Sequence, residues 1–410
     1  MRVQSTAADH NFLDIANLTS TTPQRPPDLI VIGASARAAC FSAARAGFSP
    51  YWLDQFGDSD LRAEFPGALV SPGAYPAGLV AALEQAPDAP VIYTGALENH
   101  PRVLRQIAAR RLLLGNSAAV CARVRTPALL RERLAVHGMG LPKFLTGGAD
   151  APAAGRWLLK PERSGGGLGI SVVSPGTRAT PGHYLQEFIP GDNFSGVFVA
   201  RKAGVQLLGI TQQLVGAAEF HAPAFSYCGS IGPVSPTPRV QSRWEEVGRV
   251  LAREFGLRGL FGIDAVVRDD EVTVIEVNPR YTASVEVLEE ALGVAAIALH
   301  MSAWGQVLHS STATLPCLNA RPDPKCVHGK ACLFAPVDLI FNDVACERSD
   351  AIADISFADV PAPGTRIPRG APILSVLCRA DTWAACAGLL RRMAAGVYEA
   401  LGKSGSGRPL

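Results

Sequence analysis

The sequence predicts an α/β amino-terminal unit, a larger α+β core and a small β-rich carboxy-terminal unit. Three observations carry that expectation. A βαβ pattern opens at Asp28-Leu-Ile-Val-Ile-Gly33, strands of alternating character follow from Trp157 onward, and a Ser/Thr/Pro-rich stretch from Ser310 to Pro324 sets off the last unit. At 410 residues the chain exceeds one small core, so two or three domains are expected.

The first 27 residues are polar, include Pro23, Pro26 and Pro27, and lack the apolar core of a signal peptide, so residues 1–27 read as a disordered tail. The apolar run before Gly33 reads as a buried parallel strand, Ala34 to Gly47 as a helix, and Tyr51-Trp-Leu-Asp54 and Val91-Ile-Tyr-Thr94 as further strands. Residues 28–117 therefore form one Rossmann-like, doubly wound unit. The turn Gly33-Ala-Ser-Ala-Arg37 lacks GxGxxG, so a tight strand-to-helix turn outweighs a dinucleotide site, with Arg37 free to meet an anion at the helix start.

The core spans 118–310. Thr126 to His137 reads as a helix stopped by Gly138. Strands follow at Trp157–Lys160, Ile170–Val173, Leu185–Ile189, Val197–Ala200 and Val205–Leu208, the last two around a Lys202-Ala-Gly204 turn. A helix over Glu245–Glu254 ends at Gly256. The strands Leu260–Val267 and Val272–Val277 precede a helix through Val285 to Leu292. Residues 326–400 form the last unit, and 401–410 read as a flexible tail.

Lys plus Arg is 38 against 36 for Asp plus Glu, so no net field favours nucleic acid or an acidic membrane. No stretch is long and apolar enough to span a bilayer. The 9 cysteines show no CxxC pair and no zinc-like pairing with histidine, which points to reduced thiols and a cytoplasmic setting.

The strongest local feature is Val272-Thr-Val-Ile-Glu276-Val-Asn278-Pro-Arg280. Alternation puts Glu276 and Asn278 on one strand face, and a hairpin at Asp269-Asp270 brings Asp264 opposite Ile275 or Glu276, depending on register. Three oxygen-bearing side chains then converge, as magnesium requires. An ordinary acidic strand face is the bland alternative. It poorly explains a carboxylate set among Val and Ile, because a buried charge needs a partner.

A second feature is Lys160, which ends an apolar strand before Ser164-Gly-Gly-Gly-Leu-Gly169. An ammonium and closely approaching backbone N–H groups there suit phosphate oxygens, although such a loop is by itself more often a plain turn. It is not a Walker A loop. Gln186-Glu-Phe-Ile189 before Pro190-Gly191 offers backbone groups and apolar walls to an adenine, or is an ordinary strand.

In this order the three features resemble the ATP-grasp superfamily, covering residues 120 to 295, with the preceding unit similar to its pre-ATP-grasp domain. The resemblance implies a two-subdomain core closing on ATP. It implies that Lys160 and Arg125 touch phosphate, with Arg123 the other candidate for the family's second cation. It places the lid at Ser164, Gly165, Gly166 and Gly167 onward to Gly169. Gln186, Glu187, Phe188 and Ile189 would meet the adenine, and Asp192 or Asn193 the ribose. Asp264, Glu276 and Asn278 would hold magnesium, or manganese in its place, and Arg280 would stabilise an acyl phosphate.

Tyr93-Thr-Gly-Ala-Leu-Glu-Asn-His-Pro101, Leu114-Gly-Asn116, Arg125-Thr-Pro127 and Phe225-Ser-Tyr-Cys-Gly-Ser-Ile-Gly-Pro233 resemble a narrower group, ATP-dependent carboligases related to biotin carboxylase. Pro361-Ala-Pro-Gly-Thr365 and Gly370-Ala-Pro-Ile373 belong with them. That group is associated with one-carbon carrier cofactors of the methanopterin and methanofuran kind. The implied reaction joins a small-molecule carboxylate to an amine, with no nucleic acid or membrane partner and with homo-oligomers left open. Biotin-carboxylase-like carboxylation, a non-catalytic ATP-binding regulator and, resting on Gly33 alone, a nicotinamide oxidoreductase are the competing readings. Glu98, Asn99 and His100 sit at the sheet edge where α/β ligands bind, or simply cap a turn. Gln212, Tyr227 and Ser230 are candidates to face the acceptor, while His221 reads as a surface residue.

Overall fold

The computed structural model describes residues 25–305, 326–342 and 355–404. Most of both tails, the Ser310–Pro324 stretch, Cys317 and Cys346 lie outside the described residues. The other seven cysteines are free thiols.

The first unit runs β1 (Leu29–Ile32), α1 (Arg37–Arg45), β2 (Pro50–Asp54), α2 (Ser59–Glu64), β3 (Gly67–Leu69), α3 (Gly78–Gln85), β4 (Val91–Tyr93) and α4 (Pro101–Ala108). Its sheet is parallel in the order β3-β2-β1-β4. Period two explains why β1 is apolar throughout. Leu29 and Val31 pack with α1, while Ile30 and Ile32 pack with Leu79 and Leu83 of α3 and with Leu104 and Ile107 of α4.

Gly33 marks a close approach rather than a cofactor turn. A Cβ there would lie 1.9 Å from Thr94 Oγ1. Arg37 is also committed, to Asp60 at 2.7 Å and to Glu286, so it does not await an anion as its place at the helix start suggests.

After α5 (Ala118–Val124) and α6 (Pro127–Ala135) come β5 (Phe144–Leu145), β6 (Trp157–Pro161), β7 (Ser171–Val173) and β8 (His183–Glu187), an antiparallel sheet in the order β5-β8-β6-β7. β8 stops at Glu187, so Phe188 and Ile189 lie on the segment beyond the strand rather than in it.

The core continues with β9 (Asp192–Arg201), β10 (Gly204–Val215), β11 (Tyr227–Gly232), α7 (Pro238–Phe255), β12 (Gly259–Arg268), β13 (Glu271–Asn278), α8 (Ala283–Leu292) and α9 (Ala296–Ser302). α7 begins seven residues before Glu245. Thr237 caps it by accepting from Val240 N at 3.3 Å, and Pro238 takes the first turn, where its missing N–H costs nothing. Buried Val240, Trp244, Val247, Leu251 and Phe255 repeat at helical spacing over the sheet.

The last unit holds β14 (Val327–Phe334), β15 (Leu339–Phe341), β16 (Ile355–Ala358), β17 (Thr365–Ile367), β18 (Pro372–Ala380) and α10 (Trp383–Ser404). It does not close a sheet apart. β14 pairs with β11, so one sheet runs β13-β12-β9-β10-β11-β14-β18-β16. α10 carries on to Ser404, so the first residues of the expected flexible tail are helical; Leu390, Ala394 and Val397 bury one face of this helix. A further apolar cluster joins Leu29, Val31 and Trp52 of the first unit to Val197, Leu260, Val285, Leu288 and Ile297 of the core. That cluster fixes the first unit against α8 and α9. No helix among the described residues is long and apolar enough to cross a membrane.

Candidate active site

β12 and β13 pair in the register that sets Asp264 opposite Glu276 and Gly262 opposite Asn278. The glycine is required there. A Cβ at Gly262 would come within 2.7 Å of Thr282 Cγ2. Asp264 accepts from Gln213 Nε2 at 3.0 Å and from Asn278 Nδ2 at 2.9 Å. Burial, and then the neighbouring Glu276 charge, push the Asp264 carboxyl up to about 6. Burial works on Glu276 in the same direction. The Arg125 and Lys160 cations outweigh it and hold Glu276 below its ordinary value.

These groups fit a magnesium ion, because two half-buried carboxylates set opposite each other on adjacent strands repel unless a cation lies between them. They would supply two carboxylates and one amide, and no group of three or more His, Cys, Asp or Glu of metal-binding arrangement exists among the described residues. Phosphate and water would have to complete the shell. As placed, the Asn278 carbonyl oxygen accepts from Arg280 Nη2 at 3.2 Å.

A cavity of about 480 Å³ opens beside this pair, within the range that holds a nucleotide-sized ligand. Lys160, Gln186, Phe188 and Ile189 line one side; Asp264, Glu276, Asn278 and Arg280 line the other. Lys160 Nζ donates to Gln186 Oε1 at 3.2 Å, and burial pulls its ammonium below the ordinary lysine value, against the pull of Glu276. Glu187 and Asn193 also line the space. Asp192 is exposed and does not.

Of the two arginines before α6, Arg125 turns inward. It pairs with Glu276, while Arg123 donates to Glu254 O at 2.8 Å on the far side. Ser164 and Gly165 line a smaller space of about 60 Å³ that shares Lys160, Gly167 and Glu276 with the main cavity. The glycine loop lies folded over the site. Ser164 O accepts from Arg125 Nη2 at 2.9 Å and Asn99 Nδ2 at 3.1 Å, and Gly166 O accepts from Tyr227 N at 2.9 Å. Gly167 has φ +80°, and a Cβ there would stand 1.8 Å from Phe225 O.

Gln213, rather than Gln212, faces the cavity, since β10 alternates and Gln213 is the residue bonded to Asp264. Tyr227 lines the wall. Its hydroxyl bonds Ser230 Oγ at 2.9 Å, which bonds Ser284 Oγ at 3.2 Å. His221 is exposed, with its ring 4.6 Å from that of Tyr398. Ser195, Thr282 and Ser284 also line the site, and sequence reasoning passed over them. Ser195 stands at a register position opposite Asp264, a link set by β9 pairing that no local pattern reveals.

Arg280 is held from the first unit. Its Nη2 donates to Glu98 Oε1 at 2.7 Å, and its Nη1 donates to Tyr281 O at 3.1 Å. Burial alone would pull this guanidinium down; Glu98 overcomes that and raises it.

Residues 128–284 match the family model of the ATP-grasp domain. This stretch of the chain is an ATP-grasp domain. The chain's fold is shared with a biotin carboxylase from Campylobacter jejuni (14% identity, TM-score 0.63), the likeness covering 88% of this chain and 89% of that one. It is shared also with an L-amino acid ligase from Bacillus licheniformis (15% identity, TM-score 0.65), over 90% of this chain and 97% of the other. In sequence, a carbamoyl phosphate synthase large chain from Thermoplasma volcanium is 24% identical over 233 residues, 50% of this chain and 21% of its own. The chain thus spans between 6% and 21% of the carbamoyl phosphate synthase chains it matches. The ATP-grasp domain extends across both sheets that bound the cavity, from α6 to the start of α8.

Proposed function

We propose that this protein is an ATP- and magnesium-dependent ligase that activates a carboxylate as an acyl phosphate and passes the acyl group to an amine. The observation that carries this reading is one cavity with phosphate-binding chemistry on one wall and a half-buried, like-charged carboxylate pair on the other. Lys160 and the N–H groups of the glycine loop suit the ATP phosphates. Gln186, Glu187, Phe188 and Ile189 form the adenine wall, and Asn193 reaches the ribose. Asp264, Glu276 and Asn278 would hold the magnesium, which when bound offsets phosphate charge and orients the γ-phosphoryl group.

A carboxylate is a poor electrophile, so one of its oxygens attacks the γ-phosphorus, the bond to the β-phosphate oxygen breaks, and ADP leaves. Arg280 lies beside the metal seat and suits the negative charge of the transferring phosphoryl group. The amine then attacks the acyl carbon, phosphate departs and the nitrogen loses a proton. The folded lid excludes water that would otherwise hydrolyse the intermediate. No nucleophilic side chain is required.

The motif resemblance supports a place in one-carbon carrier cofactor synthesis, with small-molecule substrates in a cytoplasmic setting. Bicarbonate is the one-carbon case of the same activation, and the likeness to biotin carboxylase keeps it as the second reading. Incubation with ATP, magnesium and a panel of carboxylates and amines separates the two. ADP release that needs both partners supports ligation, bicarbonate dependence supports carboxylation, and nucleotide binding without ADP release under every condition would sink both.

A further inference from the structure

We propose that Glu98 is a positioning residue for Arg280. This rests on the ligase reading above, in which Arg280 serves phosphoryl transfer. Glu98 lies on the short turn Leu97–Asn99 after β4, in the first unit, 182 residues before its partner. Its side chain is 0% exposed, so it cannot touch the contents of the cavity. One oxygen holds Arg280 Nη2 at 2.7 Å; the other has no hydrogen-bond partner among the described residues.

Burying a carboxylate so incompletely served costs stability rather than supplying it. What the pair provides is placement. Asn278 Oδ1 shares Nη2 with Glu98, Tyr281 O accepts from Nη1, and the Gly95 backbone faces the guanidinium, with the Cβ position 3.6 Å from Arg280 Cζ. Ala96 supports the turn at φ +75°, a conformation alanine rarely adopts and one that tends to persist where function demands it. Without Glu98, the guanidinium keeps Asn278 Oδ1 and Tyr281 O but loses the one charged partner that fixes its direction toward the transferring phosphoryl group.

The next residue treats the other arginine in the same way. Asn99 Oδ1 accepts from Arg125 Nη2 at 3.2 Å while its Nδ2 holds the lid at Ser164 O. Two consecutive residues of the first unit thus fix both cavity arginines.

Glu98→Gln keeps the shape and removes the charge. Three readouts test it in the full chain: MgATP affinity, ATP formation from MgADP and acetyl phosphate, and the Nε–H resonance of Arg280. In the acetyl phosphate reaction the acyl P–O bond breaks, the ADP β-phosphate oxygen takes the phosphoryl group, and acetate leaves. The expected result is a turnover loss of about 100-fold, the scale of a misplaced catalytic group. MgATP affinity should stay within about twofold, because ground-state binding is not what Glu98 serves. The Arg280 resonance should shift, and Glu98→Asp should recover part of the turnover. Turnover within about threefold of wild type, affinity and turnover falling together, or an unmoved Arg280 resonance would each overturn the proposal. A wild type that binds no MgATP overturns the ligase reading instead, and the Arg280 resonance still decides the placement.

Discussion

Two ionic networks lie largely inside this molecule, and they are built to different standards. In one, Glu286 of α8 lies between Arg37 and Lys330, and Lys330 also meets Asp359 at 2.8 Å. Asp60 takes the other side of Arg37. Every charge faces an opposite one, and the network ties the first unit, the core and the last unit together. In the other, Asp264 and Glu276 face each other across a strand pair, and Glu98 Oε2, Arg280 Nε and Thr282 Oγ1 are buried without partners among the described residues. A fold retains such unsatisfied groups where they serve a site rather than stability. The first network is a joint and the second is a workplace.

Variants in the second network should abolish activity and spare the fold. Glu276→Gln is expected to lower ADP formation by more than about 1,000-fold, or about 4 kcal/mol of barrier, while its urea midpoint moves little. Full turnover by this variant would end the metal assignment.

The opposite holds for the joint. Lys330→Ala leaves Glu286 and Asp359 short of their shared cation and should cost about 3–5 kcal/mol of stability in urea unfolding. A loss below about 1 kcal/mol would erase the contrast between the two networks.

Buried His300 sharpens the contrast through pH. Its Nδ1 accepts from Leu260 N at 3.0 Å and its Nε2 donates to Leu114 O at 2.8 Å, so the neutral ring is fully used. Burial lowers its pKa to about 4, despite the Leu114 bond. The unfolded chain then binds more protons between its ordinary value near 6.5 and about 4. Stability from this site is complete above the upper value and falls as pH drops through that window, by about 3 kcal/mol in all. His300→Gln should flatten the slope in denaturation measured across those pH values.

The smallest effect concerns the lid. Gly167→Ala puts a methyl group against Phe225 O at a positive φ, so the closed loop should loosen at a cost of about 1–3 kcal/mol. Protection of the Gly166–Tyr227 hydrogen bond from amide exchange should drop accordingly. Unchanged exchange would show that the loop does not rest there.

Legibility from sequence followed the range of each interaction. Asp264, Glu276 and Asn278 could be gathered because period two and one short hairpin relate them; only the register stayed open, and it settled on Glu276. Lys160 and Gln186 were each legible from their own strand, while their contact comes from the β6–β8 pairing. The first turns of α7 hid behind polar Arg239, Gln241 and Ser242, although Thr237-Pro238 is a start signal. Gln213 was displaced by its neighbour Gln212, an error of one residue that reverses the face of a strand. The Glu98–Arg280 pair and the β11–β14 pairing span long separations and carry no local pattern, so they emerged only from the structure.

Calorimetric titration of the wild type and of Glu276→Gln with ATP, with and without magnesium, reads the metal seat itself. ATP binding should depend on magnesium in the wild type and lose that dependence in the variant. Wild-type chain that takes up no ATP, or a variant that binds MgATP as the wild type does, would contradict the metal assignment.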